Sequence, residues 1–494
     1  MRKHAILFTL ILCSFFPQLS AGAEKEDVIG KISTSIVRVF CTSNVYNFDS
    51  PWQPPFQIEG TGSASVIGNG EVLTNAHVVA GGVSIYLKRE DDVNLYPAKI
   101  IHIEHDYDLA LLKVEDPSFL KGINPIEIGD MPYPRDEIYT LGYPTGGEKL
   151  SVTKGVVSRT EMHSSIHSGM KSMFTQIDAS INPGNSGGAV VRNGKLVGVA
   201  TQGMPYAQNI GYMVPQITVL RFLHTVKNKM PSSLPSLDIS VQDFRNPDLR
   251  GYINLEKEKG GILVSQVHET SVAKGVLEDL DVILSLDGHK VESDNTYEWR
   301  EGERISALNL IKTHLIGETI KAEIFRKGEV LEKEIVLRNS INDSKLATFR
   351  SFGEPPSYFL WGSLVFQPLS ENYLGTWGDE WFSNAPKALI SHFMDGEKTE
   401  ERKQIVLLSR ILPHKSNIGY SQMGRGLVVE KLNGREVKDL KHLQEMLKIH
   451  SEPYIILELE DKGRIILEAK TVKESHKEVM TVYGIYNDHS SDLD

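Results

Sequence analysis

Short β-type runs rich in hydrophobic residues dominate residues 29–225, and turns rich in glycine, proline and asparagine separate them. Such runs occupy residues 63–67, 83–87, 109–114, 152–158 and 196–201. Many short runs of this kind, bounded by turn residues at regular spacing, indicate the strands of an all-β barrel or sandwich. Residues 216–229 have a helical pattern instead, so we expect a mainly β region that a helix closes.

Two similar segments mark the second half of the chain. Residues 281–288 and 426–434 each combine an apolar strand with a Leu-Asp-Gly or Leu-Asn-Gly turn, and Val291 or Val437 follows three residues later. Such turns are common in hairpins, but two copies of one module also explain the repeat. Residues 230–236 have the composition of a linker. The polar residues 476–494 are expected to be a flexible tail.

A serine enclosed by glycines lies in residues 182–190, Asn-Pro-Gly-Asn-Ser-Gly-Gly-Ala-Val. Covalent acyl transfer needs a sharp turn that presents the hydroxyl to a cleft and aims backbone N–H groups at the oxyanion. Ser186 is therefore a candidate nucleophile. A glycine-rich turn can also be a plain hairpin, so this assignment depends on supporting residues elsewhere.

His77 and Asp108 supply that support. His77 lies in residues 71–79, as the only titratable group inside an apolar segment, and Asp108 directly precedes the run Leu-Ala-Leu-Leu. The order His, Asp, Ser along the chain is that of chymotrypsin-type enzymes. Each residue alone has an ordinary structural explanation, but together they favour a catalytic triad. Asp106, two residues before Asp108, is the alternative acid.

These motifs resemble those of the HtrA/Deg, or protease Do-like, serine proteases. The resemblance is carried by residues 74–79, 108–112 and 184–188, with further matches at 142–144, 152–158 and 210–215. Residues 246–250, 302–305 and 355–359 resemble the Deg subgroup best known from plants. This implies a mainly β protein, with a chymotrypsin-like double β-barrel followed by two PDZ-like α+β domains. The expected division is a signal peptide 1–23, a protease domain 24–230, PDZ domains 236–340 and 345–475, and a tail 476–494.

The resemblance implies peptide hydrolysis through an acyl-enzyme. Ser186 would attack the scissile carbonyl, His77 would act as general base, and Asp108 would orient the imidazole. The backbone N–H groups of Gly184 and Ser186 would form the oxyanion hole. No cofactor or metal is expected, because His163 and His167 lie in a polar loop without other plausible ligands nearby.

The resemblance also implies the substrate pocket. Ile181, Gln208 and Ile210 would line it, and the absence of an acidic residue from these segments argues against Lys or Arg before the cleaved bond. Small or medium apolar side chains such as Val, Ala and Ile are expected there. Gln208 stands where many relatives have an apolar residue, which leaves the depth of the pocket open.

PDZ domains bind a peptide C terminus by strand addition and hold its carboxylate on the backbone N–H groups of a loop. In this family the loop has an apolar-Gly-apolar pattern. The first module instead has Leu237-Asp238-Ile239, where a carboxylate would meet a negative charge, and the second has Trp361-Gly362-Ser363-Leu364. We therefore expect the second module to bind apolar C-terminal peptides and the first to dock neighbouring subunits.

The formal net charge of −11 argues against a nucleic-acid partner, because binding phosphates needs a basic face. Residues 1–23 combine a basic start, an apolar stretch and Ala-Gly-Ala, which predicts a secretory signal peptide cut after Ala23. The apolar stretch is shorter than the roughly 20 residues of a membrane span. A lipoprotein site is disfavoured because Leu12 precedes Cys13. Cleavage would leave Cys41 as the sole cysteine, without an internal disulfide partner.

The favoured interpretation is an exported, ATP-independent endopeptidase that degrades unfolded or misfolded proteins. The periplasm is the favoured compartment, with secretion or the ER lumen as alternatives. A trimer-based homo-oligomer is expected from the resemblance and from Tyr46, Phe48, Trp52 and Phe56, which have little reason to be exposed on a monomer. The competing functions are a chaperone or scaffold on a protease fold and a processing protease with one dedicated substrate.

Overall fold

The computed structural model describes residues 28–68, 70–203, 210–230, 233–256, 259–340, 343–420 and 422–494. It contains two closed six-stranded barrels, followed by two modules that each combine a β-sheet with short helices. The prediction of a mainly β chain that begins with a double barrel is confirmed. Among the residues described, no helix combines the length and apolar character that crossing a membrane requires.

The first barrel follows a short helix, α1 (Val28–Ser33). Its strands are β1 (Ile36–Val45), β2 (Phe56–Val66), β3 (Glu71–Thr74), β4 (Gly82–Lys88), β5 (Leu95–Glu104) and β6 (Leu109–Val114), closed in the order β1-β2-β3-β6-β5-β4. A one-turn helix, α2 (Ala76–Val79), follows β3. Successive strand residues point to opposite faces, and Val37, Val39 and Cys41 of β1 are buried in the barrel core.

The second barrel has the same number of strands. They are β7 (Glu137–Gly142), β8 (Ser151–Ser164), β9 (Lys171–Ile177), β10 (Ala189–Arg192), β11 (Lys195–Gly203) and β12 (Gly211–Pro215), closed in the order β10-β11-β12-β9-β8-β7. Helix α3 (Gln216–Asn228) follows and packs Val219 and Phe222 against the core. It ends where Lys229 adopts a left-handed conformation with φ of 52°, as helix ends commonly do.

The first C-terminal module, residues 236–340, is built on a sheet with the order β13-β14-β15-β19-β20. Its strands are β13 (Ile239–Gln242), β14 (Ile262–Val267), β15 (Val282–Leu286), β16 (His289–Lys290), β17 (Thr296–Arg300), β18 (Glu303–Ser306), β19 (Thr319–Arg326) and β20 (Glu329–Val336). Its helices are α4 (Pro247–Ile253) and α5 (Asn309–Thr313). Strand β16 pairs with β15, and β17 with β18.

The second C-terminal module, residues 343–494, has a sheet with the order β21-β22-β23-β24-β26-β27, and β25 pairs with β24. Its strands are β21 (Phe359–Trp361), β22 (Leu364–Pro368), β23 (Val406–Ile411), β24 (Leu427–Leu432), β25 (Arg435–Glu436), β26 (Tyr454–Leu459) and β27 (Arg464–Glu468). Its helices are α6 (Glu371–Leu374), α7 (Trp381–Asn384), α8 (Lys387–Asp395), α9 (Leu440–Lys448) and α10 (Ala469–Tyr483).

The two repeated turns have the same backbone conformation. Asp287 and Gly288 have φ of 47° and 77°, and Asn433 and Gly434 have φ of 47° and 76°. Positive φ at both central residues is the requirement of a type I′ hairpin, which Asx-Gly satisfies without strain. Each turn joins a strand pair, β15 to β16 and β24 to β25. The repeat seen in the sequence therefore occupies equivalent places in the two modules.

The expectation of a flexible tail at residues 476–494 is wrong. Helix α10 runs to Tyr483, and the residues after it bond to β21, where the Leu360 N–H donates to Asp488 O at 2.6 Å. The Ser490 N–H donates to Tyr358 O at 3.0 Å, and Leu493 is buried in the module core. A few apolar residues in an otherwise polar segment are enough to fix it, because each is buried.

The second module packs against the first barrel through the segment between β1 and β2. Asp49 forms ion pairs with Arg410 at 2.8 Å and with Arg425 at 3.0 Å. The Gln367 Nε2 group donates to Phe48 O at 3.1 Å. Trp52 packs against a buried cluster of the second module. Two of the aromatic residues expected to contact a neighbouring subunit therefore contact another part of their own chain.

Candidate active site

The structure brings His77, Asp108 and Ser186 to the junction of the two barrels. His77 lies on α2, Asp108 lies directly before β6, and Ser186 lies in the loop between β9 and β10. Hydrogen bonds of Ser63 join the barrels at this point. The Ser63 N–H donates to Ser186 O at 2.8 Å, and the Ser63 hydroxyl donates to Gly184 O at 2.7 Å.

The side chains of His77 and Asp108 are directly paired. The Nδ1 atom of His77 lies 2.8 Å from Oδ2 and 3.0 Å from Oδ1 of Asp108. The backbone N–H of His77 donates to Oδ1 at 2.9 Å, and the Thr201 hydroxyl donates to Oδ2. The Asp108 side chain is 1% exposed, so these donors compensate a buried charge and fix the orientation of the imidazole.

The pKa of His77 reflects this pairing. Burial alone would lower it, but the attraction and hydrogen bond of the Asp108 carboxylate outweigh burial and raise the pKa of His77 above its usual 6.5. Burial likewise opposes ionisation of Asp108, and the same pairing holds the pKa of its carboxyl below the usual value. The result is an imidazole with an increased affinity for protons, as a general base requires.

Asp106 lies in a different environment. Burial raises the pKa of its carboxyl, and the groups that oppose this are the Leu234 backbone and Lys312 of α5. None of the described hydrogen bonds joins its side chain to His77. The geometry therefore favours Asp108 over Asp106 as the partner of the histidine.

The Ser186 hydroxyl donates to Thr201 O at 2.8 Å. Among the described residues it forms no hydrogen bond with His77, although both side chains line one cavity. Catalytic hydrogen bonds are often formed only in the substrate complex.

Backbone donors next to Ser186 are available to a substrate. The N–H groups of Gly184 and Ser186 have no acceptor within the described parts of the chain, and both residues line the cavity. The Pro183 carbonyl points away and accepts from the Thr145 N–H at 2.7 Å. Gly184 has φ of 96°, and a Cβ there would lie 2.5 Å from the Thr145 nitrogen. Glycine is therefore required for this backbone path.

We name the cavity at Ser186 the first cavity. Its volume is about 500 Å³, and Ile181, Gln202 and Gly203 line it together with Ser186. Ile210, the other predicted pocket residue, packs against the barrel core and is absent from the lining. Gln208 lies outside the described residues. The described lining contains no acidic side chain, so a basic substrate residue would find no partner there.

Sequence reasoning missed several residues of the first cavity, among them Ile166 and Gln202. Ile166 is 61% exposed and lines it, and the Ile166 N–H donates to Gln202 Oε1 at 2.8 Å. Gln202 therefore holds the loop that carries Ile166 against the cleft. Neither residue belongs to a motif, and a contact between positions so far apart leaves no signal in one sequence.

The loop histidines have partners within the chain. His163 stacks on Tyr212 with ring centroids 4.4 Å apart, and the Nε2 atom of His167 lies 2.8 Å from Nδ1 of His105. Burial lowers the pKa of His105 to about 4 and that of His167 to about 3. Both rings are therefore neutral at physiological pH. The described residues include no group of three or more side chains suited to a metal ion.

The loop Leu237-Asp238-Ile239 leads into β13 and lines a cavity of about 340 Å³. Asp238 has φ of 53°, and its carboxylate accepts from the Thr270 hydroxyl at 2.7 Å. Met162 and Lys171 of the second barrel also line this cavity. The loop thus borders a groove that the second barrel also lines, and Asp238 is one of the lining residues.

The loop Trp361-Gly362-Ser363-Leu364 joins β21 to β22 beneath helix α10. Gly362 has φ of 61°, and its N–H donates to Nδ1 of His476 at 3.1 Å. A Cβ at Gly362 would lie 2.1 Å from Cγ1 of Val472. A backbone amide expected to receive a peptide carboxylate is therefore already bonded to α10, the helix whose second half the sequence assigned to a flexible tail.

Comparisons with known proteins agree with this architecture. Residues 60–199 match the trypsin-like peptidase domain, and residues 348–492 match the PDZ domain. The chain is 35% identical to Protease Do-like 2, chloroplastic, from Arabidopsis thaliana, over 93% of this chain and 75% of that protein. It is 33% identical to Putative protease Do-like 3, mitochondrial, from the same plant, over 96% and 85%.

A solved structure of the HtrA-type protease AlgW with tripeptide is 25% identical, with a TM-score of 0.51. The similarity covers 63% of this chain and 95% of that one. The relatives and this structure thus extend the sequence resemblance from the motifs to most of the chain.

Replacing Asp108 with Asn is expected to lower kcat by about four orders of magnitude, because an amide stabilises the wrong tautomer of the histidine. Asp106→Asn is the matched control and should stay within tenfold of the wild type. The measurement is hydrolysis of a peptide p-nitroanilide as a function of pH.

In the wild type the rate should fall as the pH drops through the raised pKa of His77. In Asp108→Asn burial still lowers the pKa of His77, but the carboxylate that raised it is gone. The fall in rate should therefore move to lower pH. Equal losses in the two variants would contradict the assignment.

Replacing His476 with Ala is expected to free the Gly362 amide and to strengthen binding of apolar C-terminal peptides about three- to tenfold, the usual worth of one hydrogen bond. The measurement is fluorescence anisotropy of a labelled peptide ending in Val, against the full chain carrying Ser186→Ala to prevent cleavage. His224→Ala, at an exposed position, is the control. Equal binding of the C-terminally amidated peptide would show that the carboxylate is not recognised.

Proposed function

The chain belongs to the family of Do-like serine proteases, and we propose that it degrades unfolded polypeptides through an acyl-enzyme at Ser186. That it is a serine endopeptidase follows from the family. The observation that supports these particular residues is the pairing of His77 with Asp108 at 2.8 Å, beside a cavity that also holds Ser186. Gly184 and Ser186 line the same cavity, and their N–H groups have no acceptor among the described residues, which supports their role as oxyanion donors.

In the proposed reaction, Ser186 Oγ attacks the scissile carbonyl carbon while Nε2 of His77 takes the hydroxyl proton. The carbonyl oxygen becomes an oxyanion and accepts from the N–H groups of Gly184 and Ser186. Collapse of this intermediate breaks the C–N bond, and His77 returns the proton to the departing amine. Water then attacks the acyl ester in the same way and regenerates Ser186. Losing one oxyanion donor typically costs a factor of about 10² to 10³ in rate.

The first cavity supports the proposed substrate class. Ile181 and Ile166 give it an apolar surface, and no acidic side chain in the described lining could pair with a basic residue. A charged side chain placed there would lose its hydration without compensation. Val, Ala and Ile are therefore the proposed residues before the cleaved bond. Such residues are buried in folded proteins and accessible in unfolded ones.

Export belongs to the same proposal. The predicted signal peptide, residues 1–23, lies outside the described residues, and its composition supports removal after Ala23. The names of two relatives place them in chloroplasts and mitochondria. An organelle is therefore a further proposed destination beside the periplasm.

Cleavage of unfolded β-casein should occur after Val, Ala and Ile and rarely after Lys, Arg, Asp or Glu. Ser186→Ala should abolish this cleavage without changing the circular dichroism spectrum, because the substitution removes only the nucleophile. Mass spectrometry of the products identifies the sites. Residual activity within tenfold of wild type would contradict the role of Ser186. A preference for basic residues would contradict the proposed pocket while leaving the nucleophile in place.

Self-association into a trimer-based assembly is also expected. Strands of the first barrel expose apolar side chains, with Phe56 57%, Val83 54% and Leu95 52% exposed, and exposed apolar patches are typical of interfaces. Light scattering of the full chain should therefore give several times the monomer mass. Val83→Glu should reduce that mass, whereas Val482→Glu, at an exposed position of α10, should not. A monomer at micromolar concentration would contradict the expectation.

A further inference from the structure

A second cavity lies beside His77 and has no role in the function described so far. Its volume is about 480 Å³, and it shares Gly60, His77 and Val78 with the first cavity. The two cavities therefore adjoin at His77. This volume is within the range of roughly 300–1,000 Å³ that is usual for ligand pockets.

One wall of the second cavity comes from the second C-terminal module. Residues 350–354, which precede β21, line it opposite side chains of the first barrel. Phe352 is central to this wall. Its ring stacks on His167 with centroids 3.9 Å apart and on His105 with centroids 4.5 Å apart. Because His167 is itself bonded to His105, the position of Phe352 is fixed by two rings.

Contacts on both sides hold this wall in place. The Ser351 N–H donates to Asn372 Oδ1 at 2.8 Å, and Asn372 Nδ2 donates back to Ser351 O at 2.9 Å. On the barrel side, Gly353 packs so closely on Gly81 that a Cβ at Gly353 would lie 2.4 Å from the Gly81 Cα. The wall therefore depends on the second module and the first barrel together.

We propose that the second cavity is a substrate subsite for a large apolar or aromatic side chain, and that Phe352 determines this specificity. The proposal rests on the proposed function, since it assigns a further part of the same cleft. A second module that packs against the protease domain would then contribute directly to the choice of cleavage sites.

The lining of the cavity indicates the class of side chain. Its apolar contributors include Val45, Tyr46, Phe48, Ile58 and Phe352. Arg350 also lines it, but its Nε atom lies 3.5 Å from Glu371 Oε1, so its charge already has a partner. Glu354, the acidic residue of the lining, is exposed to solvent. An aromatic substrate side chain would find ring edges and faces at this site, with which aromatic pairs form favourable offset or edge-to-face contacts.

The test is a cleavage-site profile of the full-length protein on a library of proteome-derived peptides, read by mass spectrometry. The wild type should show two preferences, one for Val, Ala or Ile before the cut and one for Phe, Tyr, Trp or Leu at another fixed position. Phe352→Ala should reduce the second preference about three- to tenfold, in line with the loss of an aromatic contact, and leave the first preference in place. Phe382→Ala, at an exposed position of α7, should change neither.

A second variant tests the same proposal without changing Phe352 itself. Asp49→Arg places a positive charge against Arg410 and Arg425, which should separate the second module from the barrel and cause the same loss of preference. A single preference in the wild type, or a second one that survives Phe352→Ala, would overturn the proposal. Faster cleavage of all peptides by Phe352→Ala with an unchanged profile would also overturn it, because the residue would then block the cleft. Absence of any cleavage by the wild type would instead overturn the proposed function.

Discussion

The buried carboxylate of Asp108 is the constraint on which the arrangement of the two barrels depends. A charge that is 1% exposed is tolerated only when hydrogen bonds and a partner compensate its lost hydration. The compensating donors come from both barrels, His77 from the first and Thr201 from the second. A shift of one barrel against the other would break the Thr201 hydrogen bond and leave the buried carboxylate with fewer donors, so stability and alignment of the site are coupled.

Glycines extend the same coupling to the nucleophile. A Cβ at Gly187 would lie 2.1 Å from Ser63 O, and one at Gly188 would lie 2.1 Å from Leu141 O. The loop therefore runs directly against strands β2 and β7, which belong to different barrels. This close approach explains why the site could be predicted from the sequence, because such contacts require particular residue types next to one another along the chain.

The parts that the sequence did not reveal depend on contacts between distant residues. Helix α10 covers Gly362, and Phe352 stacks on His167, although nearly two hundred residues separate the latter pair. The tail was misjudged for a similar reason. Three of its apolar residues, Val479, Ile485 and Leu493, are buried only because the second module offers a surface for them. The Leu-Asx-Gly repeat was recognisable, in contrast, because an I′ turn needs only two adjacent residues.

The two ends of the second module connect these observations. Its first residues form a wall beside His77, and its last helix bonds the Gly362 amide. If a bound ligand stabilises one arrangement of a protein, that arrangement in turn strengthens binding of the ligand by the same factor. A substrate side chain in the second cavity would therefore stabilise docking of the second module on the first barrel. A peptide that displaced α10 from Gly362 would alter the module that carries the wall. Recognition at the two places would then be coupled through one body, the sheet that extends from β21 to β27.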